Sequence, residues 1–214
     1  MSALSSRDRP VPLSLRRTCR DVLALGGWDK EHLVVGLVSG LPKEGVTTVA
    51  LSMATVFAET RHVLLIDASY SRRSAASAAG MSAPIVVASD LAAIDADTLD
   101  ARVMTSSVGG FDLLTLEQSQ EMAATLGHAW PGLKALLTHR YHIILVDLGS
   151  LRTQLSPAWS NLLDCTFMVV DSVRTTTEDL VEAKQTLGIL RYNLNGAILN
   201  RSASERRSWL GGAR

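Results

Sequence analysis

The residues best suited to chemistry lie in LVVGLVSGLPKEGVTTVALSMATVFAETRHVLLIDASY, residues 33 to 70, and at one later position. Gly40, Pro42, Lys43, Glu44, Gly45, Val46, Thr47 and Thr48 form a Gly- and Pro-containing turn between an apolar run and an amphipathic segment. Asp67 ends a second apolar run (Val63 to Ile66), and Asp147 ends a third (His142 to Val146). A turn that feeds a helix N-terminus gathers backbone N–H groups and the positive end of the helix dipole at one point, which suits a phosphate chain. A hydroxyl at Thr47 with two carboxylates at strand ends is the oxygen set that Mg²⁺ takes. The spacing Gly40, four residues, Gly45, one residue, Thr47 fits the P-loop pattern except at Val46, where the pattern has lysine. The missing ammonium is the charge that would neutralise the β- and γ-phosphates. Asp67 and Asp147 are the candidate catalytic groups, and Thr47, Asp67 and Asp147 the candidate Mg²⁺ ligands.

Each of these residues has a structural alternative. The glycines can serve a tight turn alone, and Thr47 can satisfy a free N–H at the helix start. Asp67 and Asp147 can cap loops or helices. Lys43 reads as a stand-in for the absent ammonium or as a solvated pair with Glu44.

Positioning these groups takes a strand over Leu33 to Val38, a turn over Ser39 to Gly45, a helix from about Thr47 and a strand over Val63 to Ile66. Before them, residues 1–12 read as a flexible leader. Leu13 to Leu25 reads as an amphipathic helix with Leu15, Cys19, Val22 and Leu23 on one face and an exposed Arg16, Arg17 and Arg20. After them come a short alanine-rich helix, a short strand or buried loop at Ile85 to Ala88, and a helix at Asp95 to Met104. A strand at Phe111 to Leu116 precedes one or two helices interrupted by Pro131. A helix at Ser156 to Leu163, a strand at Phe167 to Val170, a helix opened by Thr176, a turn at Asn193 and Asn195 and a strand at Gly196 to Leu199 complete the run. Short continuous apolar strands separated by crossover helices predict an α/β fold of three layers, a mainly parallel sheet with helices on both faces. Ligands in such sheets bind at the carboxyl ends of the strands, where the turn and both aspartates fall. Residues 13–201 read as a single domain, and 202–214, with Arg206, Arg207 and Trp209, as a flexible tail.

Composition sets the outer limits. The 21 Lys+Arg balance 21 Asp+Glu, which gives no global pull toward nucleic acid or anionic lipid. Cys19 and Cys165 lie in no metal or redox spacing, and the five histidines in no ligand spacing. With no apolar run long enough to span a bilayer, the expected location is cytoplasmic, and any membrane contact is peripheral, through a partner.

In order and content these pieces resemble the MinD/ParA superfamily of P-loop ATPases, and within it the cytoplasmic domain of bacterial tyrosine kinases of capsule and exopolysaccharide export. The matches are VSGLPKEGVTT (Walker A), RHVLLIDASYSRR (Walker A′), YHIILVD (Walker B) and the closing DCTFMVVDSVRTTTEDLVEAKQTLGILRYNLNGAILN, over about residues 13–201. The resemblance implies ATP or ADP with Mg²⁺, base contacts near Asn200, homo-oligomers, and a membrane-embedded polysaccharide chain-length or export component, or an active paralogue, as partner. Departures are Val46, Leu41 in place of a signature lysine, Ser69 in place of a second aspartate, and LGSL after Asp147. The only tyrosines are Tyr70, Tyr141 and Tyr192, and the kinases' Glu-x-x-Arg-x-x-Arg helix is matched by Ser14, Arg17 and Arg20 without its acid. The expectation is a degenerate relative acting as a regulatory or assembly subunit. The alternatives are a working ATPase or protein-tyrosine kinase with a non-standard loop, and a MinD/ParA-type positioning ATPase. Neutral charge and the absent signature lysine count against the last.

Overall fold

The apolar runs of the sequence pair into one sheet. Its strands are β1 (Leu33–Ser39), β2 (Val63–Asp67), β3 (Ile85–Val86), β4 (Met104–Thr105), β5 (Asp112–Leu116), β6 (Ile143–Ser150), β7 (Cys165–Asp171) and β8 (Leu194–Asn200). They lie in the order β3-β5-β2-β6-β1-β7-β8, all parallel, with β4 antiparallel on β5. The computed structural model describes residues 11–27, 30–69, 75–107, 109–117, 119–153 and 157–201. Most of the leader, Tyr70 and the tail with Arg206, Arg207 and Trp209 lie outside the described residues.

Every residue of β1, β2 and β7 is buried, as expected for parallel strands covered on both faces. Helices α1 (Leu13–Gly26), α2 (Val46–Ala58) and α3 (Ala75–Ala78) cover one face. There Cys19, Val22, Val49, Ala50, Met53 and Phe57 meet the odd-numbered strand residues, such as Val35, Leu65, Leu145 and Phe167. Helices α4 (Ala88–Ala92), α5 (Ala96–Arg102), α6 (Gln120–Thr138) and α7 (Thr177–Ile189) cover the other. There Leu91, Leu99, Leu126, Leu133 and Leu187 meet the even-numbered residues, among them Val34, Ile66 and Ile144. Arg16 of α1 makes a two-pronged ion pair with Glu59 at the end of α2, at 2.5 and 2.7 Å, so this arginine is used within the chain.

Several local expectations are corrected. The segment around Pro131 is one helix: the Ser119 hydroxyl accepts the Met122 N–H at 3.0 Å to start it, and Met122, Leu126, Trp130, Leu133 and Leu137 bury one stripe along it. That burial outweighs the roughly 3 kcal/mol an interior proline costs a helix. Where a helix over Ser156 to Leu163 is expected, the described residues hold a 3-10 turn, Pro157–Asn161. α5 stops at Arg102 because Val103 turns extended to feed β4, which pattern reading missed along with α4. Asn195 lies inside β8 and not in a turn.

Candidate functional site

The loop between β1 and α2 holds its shape through two residues in the left-handed region, Lys43 (φ 67) and Gly45 (φ 95). At Gly45 a side chain is excluded twice, since a Cβ there would meet the Asn200 Nδ2 at 2.3 Å. α2 begins with no side-chain cap, so the N–H groups of its first turn have no partner within the helix. They are the half of the candidate site whose donors suit a phosphate.

The residue at the lysine position is not a gap. Val46 is 5% exposed and packs in the core under α2 with Val49 and Ala50. Glu44 also turns inward, 2% exposed. Its Oε2 accepts the Leu41 N–H at 2.7 Å, while its Oε1 accepts the Asp171 N–H at 3.1 Å and the Thr175 hydroxyl. The solvated Lys43–Glu44 pair considered from sequence therefore does not form, because the buried amides attract the carboxylate more strongly than an exposed ammonium does. The side chains of Glu44 and Val46 hold the loop, which leaves their backbone amides for a ligand. The Asn200 Nδ2 donates to the Glu44 carbonyl at 2.8 Å, so this amide braces the loop. Pro42, Lys43 and Thr48 are exposed on its outer side.

The acidic half of the candidate site lies beneath the start of α2. Asp67 and Asp147 are register partners on β2 and β6, and both are fully buried. The Thr47 hydroxyl donates to the Asp147 Oδ2 at 2.6 Å and the Gly149 N–H to Oδ1 at 2.9 Å. Thr47 thus spends its hydroxyl on Asp147 and not on a helix cap. Asp67 accepts from the Ser69 N–H (3.2 Å) and hydroxyl (2.8 Å) through Oδ1 and from the Ala75 N–H (2.6 Å) through Oδ2, so it does cap α3. Burial drives the Asp147 carboxyl up to about 6; the Thr47 hydroxyl and Gly149 amide oppose this, and the neighbouring Asp67 charge adds to it. Among the described residues no ion pair joins either aspartate to a basic side chain. An oxygen-only set of one hydroxyl and two carboxylates without a resident cation fits Mg²⁺. It fits a triphosphate less well, since the amides are present and the ammonium is not.

Sequence reading missed Asp171, Thr175 and Arg201. Asp171 is fully buried at the end of β7; burial works against its charge, yet the Val173 N–H (3.1 Å) and the Arg201 guanidinium (2.6 Å) hold it below its ordinary value. The signal was available: FMVVD ends on a carboxylate just as VLLID and IILVD do. The histidines stay out of the site. His32, His139 and His142 line a cavity of about 340 Å³ at the opposite end of the sheet, and His62 stacks on His142 there. Tyr141 and Tyr192 are each 5% exposed, and the Tyr141 hydroxyl donates to Asp112 at 2.8 Å.

No family model matches the chain. It is similar to the tyrosine-protein kinase YwqD of Bacillus subtilis, 27% identical over 190 residues that span 86% of this chain and 78% of that one. Among solved structures it resembles the VpsO kinase domain, with TM-score 0.71 and 26% identity over 88% of this chain and 94% of that one. It also resembles the septum site-determining protein MinD complexed with Mg-ADP from Pyrococcus horikoshii OT3, with TM-score 0.61 and 20% identity over 82% and 73% of the two chains.

Proposed function

We propose that this chain, a relative of bacterial tyrosine kinase domains with the P-loop ATPase fold of MinD and ParA proteins, is a non-hydrolysing regulatory or assembly subunit of exopolysaccharide or capsule export. The observation that carries the reading is Val46: the lysine position is filled by a core residue, and the loop is held by Glu44 and Asn200 without any phosphate-neutralising cation. Loss of a charge that stabilises the transition state lowers turnover by about 10²–10³ or more. Lys43, exposed at the loop tip, is the one cation within the loop. Mg²⁺ has its hydroxyl and carboxylates, but the phosphates lack their ammonium, so ATP or ADP with Mg²⁺ binds weakly or not at all, and the domain acts by docking. Its partner is a membrane-embedded polysaccharide chain-length or export component or an active paralogue, reached through the loop rim and α1, with homo-oligomers as a further state. Nucleic acid is not a partner. No helix among the described residues is long and apolar enough to cross a membrane, and the proposed place is cytoplasmic, peripheral at the inner membrane.

The intact Thr47–Asp147 bond favours a second reading, a slow ATPase or tyrosine kinase. Calorimetric titration of Mg·ATP and Mg·ADP into the chain and into Val46→Lys separates the two. Binding gained only by Val46→Lys, with no phosphate release by the native chain, supports the first. Micromolar binding by the native chain that Lys43→Ala abolishes overturns it in favour of the second.

A further inference from the structure

Two buried hydroxyls, Thr115 Oγ1 and Thr166 Oγ1, have no hydrogen-bond partner. Their surroundings differ. Thr166, near the start of β7, is in register with Gly36 and Leu194. Thr115, near the end of β5, is in register with Asp67 of β2, which is itself in register with Asp147 of β6. Side chains at paired positions of neighbouring strands project from the same face with Cβ atoms about 5 Å apart. Thr115, Asp67 and Asp147 thus form one row across three adjacent strands, on the face that α2 covers.

A valine would fill the same shape at position 115. A hydroxyl there, 6% exposed and unpartnered, is desolvated without compensation. Beside it the two carboxylates accept five hydrogen bonds from the described residues, Ser69 (two), Ala75, Thr47 and Gly149. Two ionised carboxylates offer about eight lone-pair positions, so among the described residues acceptor capacity remains open in a buried row that holds negative charge and pairs with no basic side chain. A hydrated divalent cation answers both needs: its charge offsets the carboxylates, and its waters bond the remaining oxygens and the hydroxyl. Mg²⁺ usually keeps several of its waters when bound by protein.

We propose that Thr115 is a positioning residue of the divalent-cation site, its hydroxyl bonding a water of the hydrated cation on the Asp67 side. This rests on reading Thr47, Asp67 and Asp147 as the cation's oxygen set. It requires no lysine and no nucleotide, so the site takes a cation by itself.

The test titrates Mn²⁺ alone into the full chain, free Mn²⁺ being read by its electron paramagnetic resonance, for wild type, Thr115→Val, Thr115→Ser and Asp147→Asn, with thermal melts of each in EDTA. The wild type binds Mn²⁺. Thr115→Val weakens binding about three- to tenfold, the worth of one water-mediated bond, while its melting temperature in EDTA equals or exceeds that of the wild type. Thr115→Ser keeps binding within about twofold, and Asp147→Asn loses it at least tenfold. If Thr115→Val binds as wild type while Asp147→Asn does not, the proposal falls and the carboxylate site stands. If Thr115→Val is destabilised in EDTA with Mn²⁺ affinity unchanged, the hydroxyl serves a structural water and the proposal again falls. A wild type that binds no Mn²⁺ overturns the cation reading itself.

Discussion

The two faces of the sheet begin alike and end differently. On the even-numbered face the strands carry apolar residues near their carboxyl ends, at Leu116, Ile66, Leu148 and Val170. On the odd-numbered face the apolar residues give way at the last position, to Thr115, Asp67, Asp147, Ser39 and Asp171, all of them buried. The difference follows from what covers each face. α6 lays an apolar stripe over the even face, whereas at the rim of the odd face the Thr47 hydroxyl, the Ser69, Ala75, Gly149 and Val173 amides and the Arg201 guanidinium give the buried carboxylates partners. A buried carboxylate is tolerated where the fold supplies donors and nowhere else. The row of polar ends therefore marks the rim of the candidate site without reference to any motif.

Four substitutions sharpen or break this contrast. Val146→Asp moves a carboxylate one residue back, onto the apolar face beside Ile66. The expected loss is about 4 kcal/mol or more, read as failure to fold or as early urea unfolding. A loss below about 1 kcal/mol would show that the even face is open to water. Glu44→Gln replaces an acceptor-only group facing two amides and a hydroxyl. The side-chain NH₂ then opposes an N–H, and a loss of about 2 kcal/mol in chemical denaturation follows.

Asp147→Asn acts in the opposite direction. Because the folded pKa lies above the unfolded one, at about 6, the native state holds this proton more tightly, and wild-type stability falls as pH rises through that window. In EDTA at pH 7.5 the asparagine variant is more stable by about 1–3 kcal/mol, and the gain fades toward pH 4; equal stabilities at pH 7.5 would mean that Asp147 carries no penalty. The smallest effect is Thr166→Val, which removes an orphan hydroxyl far from the carboxylates and stabilises by about 1 kcal/mol or less. Urea midpoints of this variant with and without Mg²⁺ should shift equally, since nothing at that end of β7 faces the rim.

Much of the architecture was legible before any coordinates. Strands β1, β2, β5, β6 and β7 are continuous apolar runs, and α1, α2 and α7 carry faces at helical spacing, so period and run length were enough. Where a segment's fate depends on packing, reading failed. Pro131 breaks helices in general, but here five large side chains anchored on the sheet hold the helix through it. Within the site, the loop, Thr47, Asp67 and Asp147 were visible as types at known spacing. The inward turn of Glu44 was not, because its partners Asp171 and Thr175 stand 127 and 131 residues away.

The sequence by itself determined a strand, loop, helix and strand with a valine at the lysine position and carboxylates at two strand ends, because these are matters of local order and residue type. Only the tertiary structure decided that Val46 is core, that Asp67 and Asp147 stand side by side with one carboxyl pushed up to about 6, and that Thr115 completes their row. Side-chain neighbours in a parallel sheet are set by strand order and register, which come from helices packing across the whole chain, and no short stretch of residues contains that information.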